Sequence, residues 1–134
     1  MQLEDETIVV FISDHGYQMG EHGHLGKRSN YRTSTNIPMM LRVPGITDKG
    51  RNQVVSEIVE SIDMYPTVVE AAGFGAVPQC DPAPEGSMVQ PDLCTEGRNL
   101  LPLYKSKANL GTIDPNWRNE AFTQAQGLSL KCVT

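Results

Sequence analysis

Thr7 to Lys27 reads TIVVFISDHGYQMGEHGHLGK. Its first six residues, Thr7-Ile8-Val9-Val10-Phe11-Ile12, are all β-branched or aromatic. The run is too short for a lone helix and shows no clean alternation, so it reads as a strand buried on both faces. It stops abruptly at Ser13-Asp14-His15-Gly16. In open α/β sheets, ligands and chemistry gather beyond the carboxyl ends of strands. Here a carboxylate and an imidazole stand at that exit, followed by a glycine, which tolerates positive φ and close backbone approach. The pattern is that of an active site in an α/β fold.

Downstream, Gly16 to Asn36 holds four glycines and many polar residues and reads as a long loop. Loops of that length are uncommon unless they carry function. Pro38 to Val43 is the second strand, with Pro38 at its first position and Pro44-Gly45 ending it. Ile46 to Asn52 is a polar turn, and Gln53 to Val59 a third, half-exposed strand. Asp63-Met64-Tyr65-Pro66 opens a helix: Asp63 caps the free N–H groups and Pro66 sits in the first turn. Gly73 ends that helix, and Met64, Val68, Val69 and Ala72 form the face expected to pack on the sheet. Gly75 to Asp92, with four prolines, is a loop. Leu100 to Tyr104 packs back on the core, and Glu120 to Gln124 resembles a late edge strand.

The chain has 134 residues, enough for one domain burying roughly two thirds of its unfolded surface. With 39% apolar and 20% charged residues it belongs with globular proteins. A formal charge of −5 argues against binding nucleic acid by bulk electrostatics. An acidic whole still leaves room for a local basic site, and Lys27-Arg28 with Arg32 is the best candidate. No stretch approaches the roughly 20 apolar residues that span a bilayer. The first residues lack the basic and apolar regions of a signal peptide, and there is no Asn-x-Ser/Thr sequon. Three cysteines leave one unpaired in any intramolecular disulfide scheme. Cys132 receives no function.

Asp14-His15-Gly16 behind a hydrophobic strand, then Gly20-Glu21-His22-Gly23 and Lys27, resembles the second metal-binding segment of the sulfatases. The order continues through Asn36-Ile37-Pro38, Val43-Pro44-Gly45, Asp63-Met64-Tyr65-Pro66-Thr67, Ala72-Gly73 and Cys94-Thr95-Glu96-Gly97-Arg98-Asn99-Leu100. The resemblance implies an α/β fold, part of an alkaline-phosphatase-like sandwich with an incomplete sheet and at least one packed helix. Residues 1–104 would be a partial catalytic domain and residues 105–134 a weakly determined tail. It implies a Ca²⁺-dependent, lysosomal sulfuric ester hydrolase acting on uronic acids of heparan and dermatan sulfate, a sulfated glycosaminoglycan substrate. It also implies a disulfide between Cys80 and Cys94; two buried free thiols are the alternative. A bridge closing that loop would stabilise by about 3 kcal/mol. Sulfatases use a formylglycine made from the cysteine of a Cys-x-Pro-x-Arg segment. The nearest text here, Cys80-Asp81-Pro82-Ala83-Pro84, has Pro where Arg is required. The nucleophile is therefore expected outside this chain, and the chain alone is expected to be inactive. Rival expectations are a phosphoryl-transfer enzyme of the same superfamily and a non-catalytic interaction module.

Asp14 is the first metal-ligand candidate, because an anionic ester needs charge neutralisation that a divalent cation supplies; a turn cap is the bland alternative. Ca²⁺ takes roughly six to eight oxygen ligands, so most of its shell would come from elsewhere. By resemblance His15 contacts the metal and the catalytic residue, although imidazole prefers transition metals. Lys27 stands thirteen positions after Asp14, a stretch that can extend over roughly 40 Å. Only a loop folding back unites them. The resemblance gives Lys27 the substrate sulfate, as a point charge, and gives Tyr17 a place lining the substrate pocket. His22 and His24 suggest a zinc cluster only weakly; His22 ordering the loop through backbone hydrogen bonds is the simpler alternative.

Overall fold

The computed structural model describes residues 3–48, 54–80, 93–108, 117–125 and 131–133. Strand β1 (Val9–Ile12) ends one residue before Ser13. Next come β2 (Gln18–Met19), β3 (Leu25–Gly26), the one-turn helix α1 (Arg32–Thr35) and strand β4 (Met39–Arg42). Helices α2 (Met64–Ala71) and α3 (Leu101–Ala108) follow, then strands β5 (Ala121–Thr123) and β6 (Lys131–Val133). The described strands make three antiparallel ribbons, β1–β4, β2–β3 and β5–β6.

β1 pairs with β4 in a register that sets Val9 opposite Arg42 and Phe11 opposite Met40. Pro38, lacking an N–H, precedes β4 and accepts the N–H of Ser13 through its carbonyl at 3.2 Å. Arg42 Nη1 donates to the carbonyls of Glu4 and Thr7, tying the amino-terminal turn to this ribbon. The expectation that β1 is buried on both faces is corrected: all four of its residues are exposed, Phe11 to 55%. The cause is geometric. A two-stranded ribbon has no layer over either face, and burial of a central strand requires neighbours on both edges and elements above and below.

The segment from Gly16 to Asn36 also departs from expectation. It is a short hairpin followed by a helical turn, not a featureless loop. Its reversal runs through a 3₁₀ turn, Glu21–Gly23, in which His22 takes a left-handed conformation at φ 56°. A third strand over Gln53 to Val59 is not formed among the described residues of that stretch, 54–59. Gln53 itself lies outside the described residues.

Helix α2 forms where its composition places it, with Pro66 in the first turn and Gly73 beyond its end at φ 84°. Asp63 does not cap it. Its carboxylate turns back and accepts N–H groups from Glu60 and Arg98, each at 2.7 Å, and Nη2 of Arg118 at 2.6 Å. Asp63 is fully buried, and burial pushes its carboxyl up to about 6 while the N–H and charge of Arg98 pull it back. The buried face of α2 is Pro66 and Thr67, not the expected Met64, Val68, Val69 and Ala72. Thr67 Oγ1 donates to the Asp63 carbonyl at 2.6 Å and accepts the N–H of Leu100 at 2.8 Å. The helix thus docks on the 95–103 stretch rather than on a sheet. Leu100, Leu101 and Leu103 are, with Val43, the buried apolar side chains among the described residues, so that stretch does return to the core. The tail joins the same cluster: Trp117 Nε1 donates to the Ile58 carbonyl, and Arg118 meets both Glu60 and Asp63.

Cys80 and Cys94 form a disulfide with Cα atoms 4.9 Å apart, closing a loop whose residues 81–92 lie outside the described ones. Hydrogen bonds between Cys80, Thr95 and Pro78 knit the neck of that loop. The late strand expected at Glu120 to Gln124 is β5, Ala121–Thr123 in extent, paired with β6 in a register that sets Phe122 opposite Cys132. No helix among the described residues is long and apolar enough to cross a membrane.

Candidate active site

β1 delivers Asp14 and His15 at its carboxyl end, and the β2–β3 hairpin returns the chain so that Lys27 lies beside them. Lys27 Nζ donates to His15 Nε2 at 2.7 Å, across twelve positions of sequence. His15 Nδ1 lies 2.7 Å from the Gly16 carbonyl. A carbonyl only accepts, so Nδ1 carries the proton and Nε2 presents a lone pair. Asp14 Oδ1 accepts the backbone N–H of His15 at 3.0 Å, and Oδ2 stands 3.3 Å from Nε2. Two lone-pair atoms at that distance have no proton to share and require a positive charge between or beside them. Lys27 supplies one.

The turn is held by contacts that composition does not announce. Gln18 is buried and accepts Ser29 Oγ at 2.7 Å, and Ser29 Oγ pairs in turn with Ser34 Oγ at 2.8 Å. Gly16 N–H donates to the Ser34 carbonyl at 2.9 Å. A Cβ at Gly16 would lie 2.0 Å from the Thr33 carbonyl oxygen, so the glycine is needed for close approach to α1 rather than for positive φ. Gln18, Ser29 and Ser34 escaped the sequence reading. Polar residues in a glycine-rich stretch look solvent-facing, and only tertiary contact buries them.

Asp14, His15, Lys27, Arg28 and Arg32 all line an open cavity of about 1210 Å³. Leu100, Leu103 and Phe122 line it too. Tyr17 is exposed to 57% and does not line this cavity. His22 stacks on Tyr31 with ring centroids 4.1 Å apart, and His24 approaches the same ring from 6.2 Å. His22 therefore orders the loop by stacking rather than through backbone bonds. Among the described residues there is no group of three or more His, Cys, Asp or Glu able to hold a metal. Asp14 nevertheless fits a hard cation: its side chain is 84% exposed, and Oδ2, which takes no hydrogen bond from the described backbone, lies 3.3 Å from His15 Nε2.

The family model described as Sulfatase matches residues 1–74, more than half of the chain, and the chain belongs to that family. Its relatives include human (Homo sapiens) iduronate 2-sulfatase, 32% identical over 129 residues, which cover 78% of this chain and 22% of that protein. Mouse (Mus musculus) iduronate 2-sulfatase is 34% identical, over 75% of this chain and 21% of its own length. Arylsulfatase K of Canis lupus familiaris is 33% identical, over 87% of this chain and 19% of its own. The chain thus spans about a fifth of the length of these relatives.

Proposed function

We propose that this chain is part of the catalytic domain of a sulfuric ester hydrolase that removes sulfate from uronic acid residues of heparan or dermatan sulfate. The contact between Lys27 Nζ and His15 Nε2, beside Asp14, carries the proposal. It gathers one cation, one anion and one lone pair at the exit of an apolar strand, as chemistry on an anionic ester demands.

In this reading Asp14 and His15 would hold a divalent cation, Ca²⁺ by family likeness, with the remaining ligands outside this chain; His15 Nε2 would exchange its bond from Lys27 for the metal and so release the ammonium to the substrate. The bound cation neutralises charge on the ester. The Gly16 carbonyl holds His15 in the tautomer whose Nε2 points at the site. Asp14 would offer Oδ2 while Oδ1 is anchored to backbone. Lys27 donates to a sulfuryl oxygen and stabilises the charge that grows there. Tyr17, exposed and outside the cavity lining, would pack on a sugar ring of the bound substrate. Cys80 is engaged with Cys94, which agrees with a nucleophile outside this chain. A lysosomal location belongs to the same reading.

The test is release of inorganic sulfate from a sulfated uronate disaccharide by the intact protein, with and without a chelator. Chelator-sensitive sulfate release is expected, and the present chain alone should show none. Phosphate release from a phosphomonoester without sulfate release would replace this reading by phosphoryl transfer.

A further inference from the structure

Arg28 and Arg32 line the cavity that holds Asp14, His15 and Lys27, although the molecule as a whole is acidic. Both side chains are exposed, and neither guanidinium forms an ion pair or hydrogen bond with a described residue. Arg42 and Arg118, by contrast, are each engaged with acidic partners. The backbone carrying the free pair is fixed. Ser29, next to Arg28, is buried in the Gln18–Ser29–Ser34 network, and Arg32 opens α1, whose Ser34 belongs to that network and accepts Gly16. Two exposed arginines on a pinned turn thus line the same groove as Lys27. Three acidic residues line the groove: Glu60 is paired with Arg118, Asp14 belongs to the proposed cation site, and the carboxylate oxygens of Glu57 are buried away from solvent.

We infer that Arg28 and Arg32 form a second anion subsite, which holds a carboxylate or a further sulfate of the substrate while Lys27 holds the ester under attack. A guanidinium presents a planar fork that matches a carboxylate or sulfate bidentately, whereas the lysine ammonium is a point charge suited to the reacting group. The subsite selects substrates carrying at least two anionic groups, as a sulfated uronate does and a simple aryl sulfate does not. This rests on the sulfatase reading above and adds to it the residues that decide between polyanionic and monoanionic esters.

The experiment compares the intact protein with R28Q, R32Q and the double variant, in two arms. In the first, binding of a fluorescently labelled heparin-derived tetrasaccharide is measured at two salt concentrations. Each single variant should weaken binding by about tenfold at low salt, the loss of one charge-assisted contact. The double variant should also show a shallower salt dependence. Unchanged affinity and salt dependence in the double variant overturns the inference, whatever the catalytic arm gives. In the second arm, kcat and KM are measured on a sulfated uronate disaccharide and on 4-methylumbelliferyl sulfate. The variants should raise KM for the disaccharide and leave both parameters for the aryl ester within about twofold. An equal fall on both substrates overturns the subsite. Failure of the wild-type protein to release sulfate from either ester overturns the hydrolase reading instead, and the binding arm then decides the subsite alone.

Discussion

At the residue scale, the site depends on three contacts of very different legibility. Asp14 and His15 announce themselves because an acid and an imidazole follow a purely apolar run. Lys27 could be named only through family likeness, and the structure sets it 2.7 Å from His15. On the proposed sulfatase function, Lys27→Ala in the intact protein should lower turnover by about 10²- to 10³-fold, the scale of removing one positioned charge-stabilising donor. Steady-state kinetics near the wild-type values would return Lys27 to the role of a surface cation. Gly16 makes a sharper claim. Its missing Cβ faces backbone, not a flexible side chain, so Gly16→Ala has no inexpensive relief. A loss of about 1 to 3 kcal/mol in unfolding free energy is expected, with a fall in activity beyond it because the Asp14–His15 turn must move. Wild-type stability would show that the approach to Thr33 is looser than described.

At the element scale, the sequence placed helix α2 correctly and misjudged what holds it. Asp63 before a Met-Tyr-Pro start looks like a cap, since local sequence offers the helix N–H groups as its nearest donors. The folded chain brings better ones from Arg98 and Arg118, thirty-five and fifty-five positions away. The predicted apolar face failed for the same reason, because α2 meets the 95–103 stretch through Thr67 and not a sheet through its valines. Asp63→Ala would strand the Arg118 guanidinium, only 10% exposed, among groups that no longer neutralise it fully. Thermal or denaturant unfolding should show a loss of about 3 to 5 kcal/mol. Adding Arg118→Met should recover part of it, since the unpaired charge is then gone. A double variant as unstable as the sum of the singles would mean that the two do not interact.

At the scale of the whole molecule, β1 and β4 form an apolar ribbon that leaves its Phe11–Met40 face open. Phe11 and Met40 lie opposite each other, 55% and 58% exposed. Such a surface invites self-association. Purified by itself, this chain should show concentration-dependent association in sedimentation velocity, and Phe11→Lys with Met40→Lys should reduce it. A wild-type chain that stays monomeric at high concentration would show that the ribbon is covered by something else in this chain.

The composition of a few short runs determined β1, β4, α2 and the placing of Asp14 and His15, because strand and helix preferences and an abrupt stop are local properties. The order of motifs determined the family. What the sequence left undecided was each matter of distance: the return of Lys27, the burial of Gln18 and Asp63, the docking partner of α2 and the fate of Cys80. Those outcomes depend on which donors, acceptors and apolar faces meet across tens of residues. Only the folded chain, in which burial makes an unpaired polar group costly, selects among them.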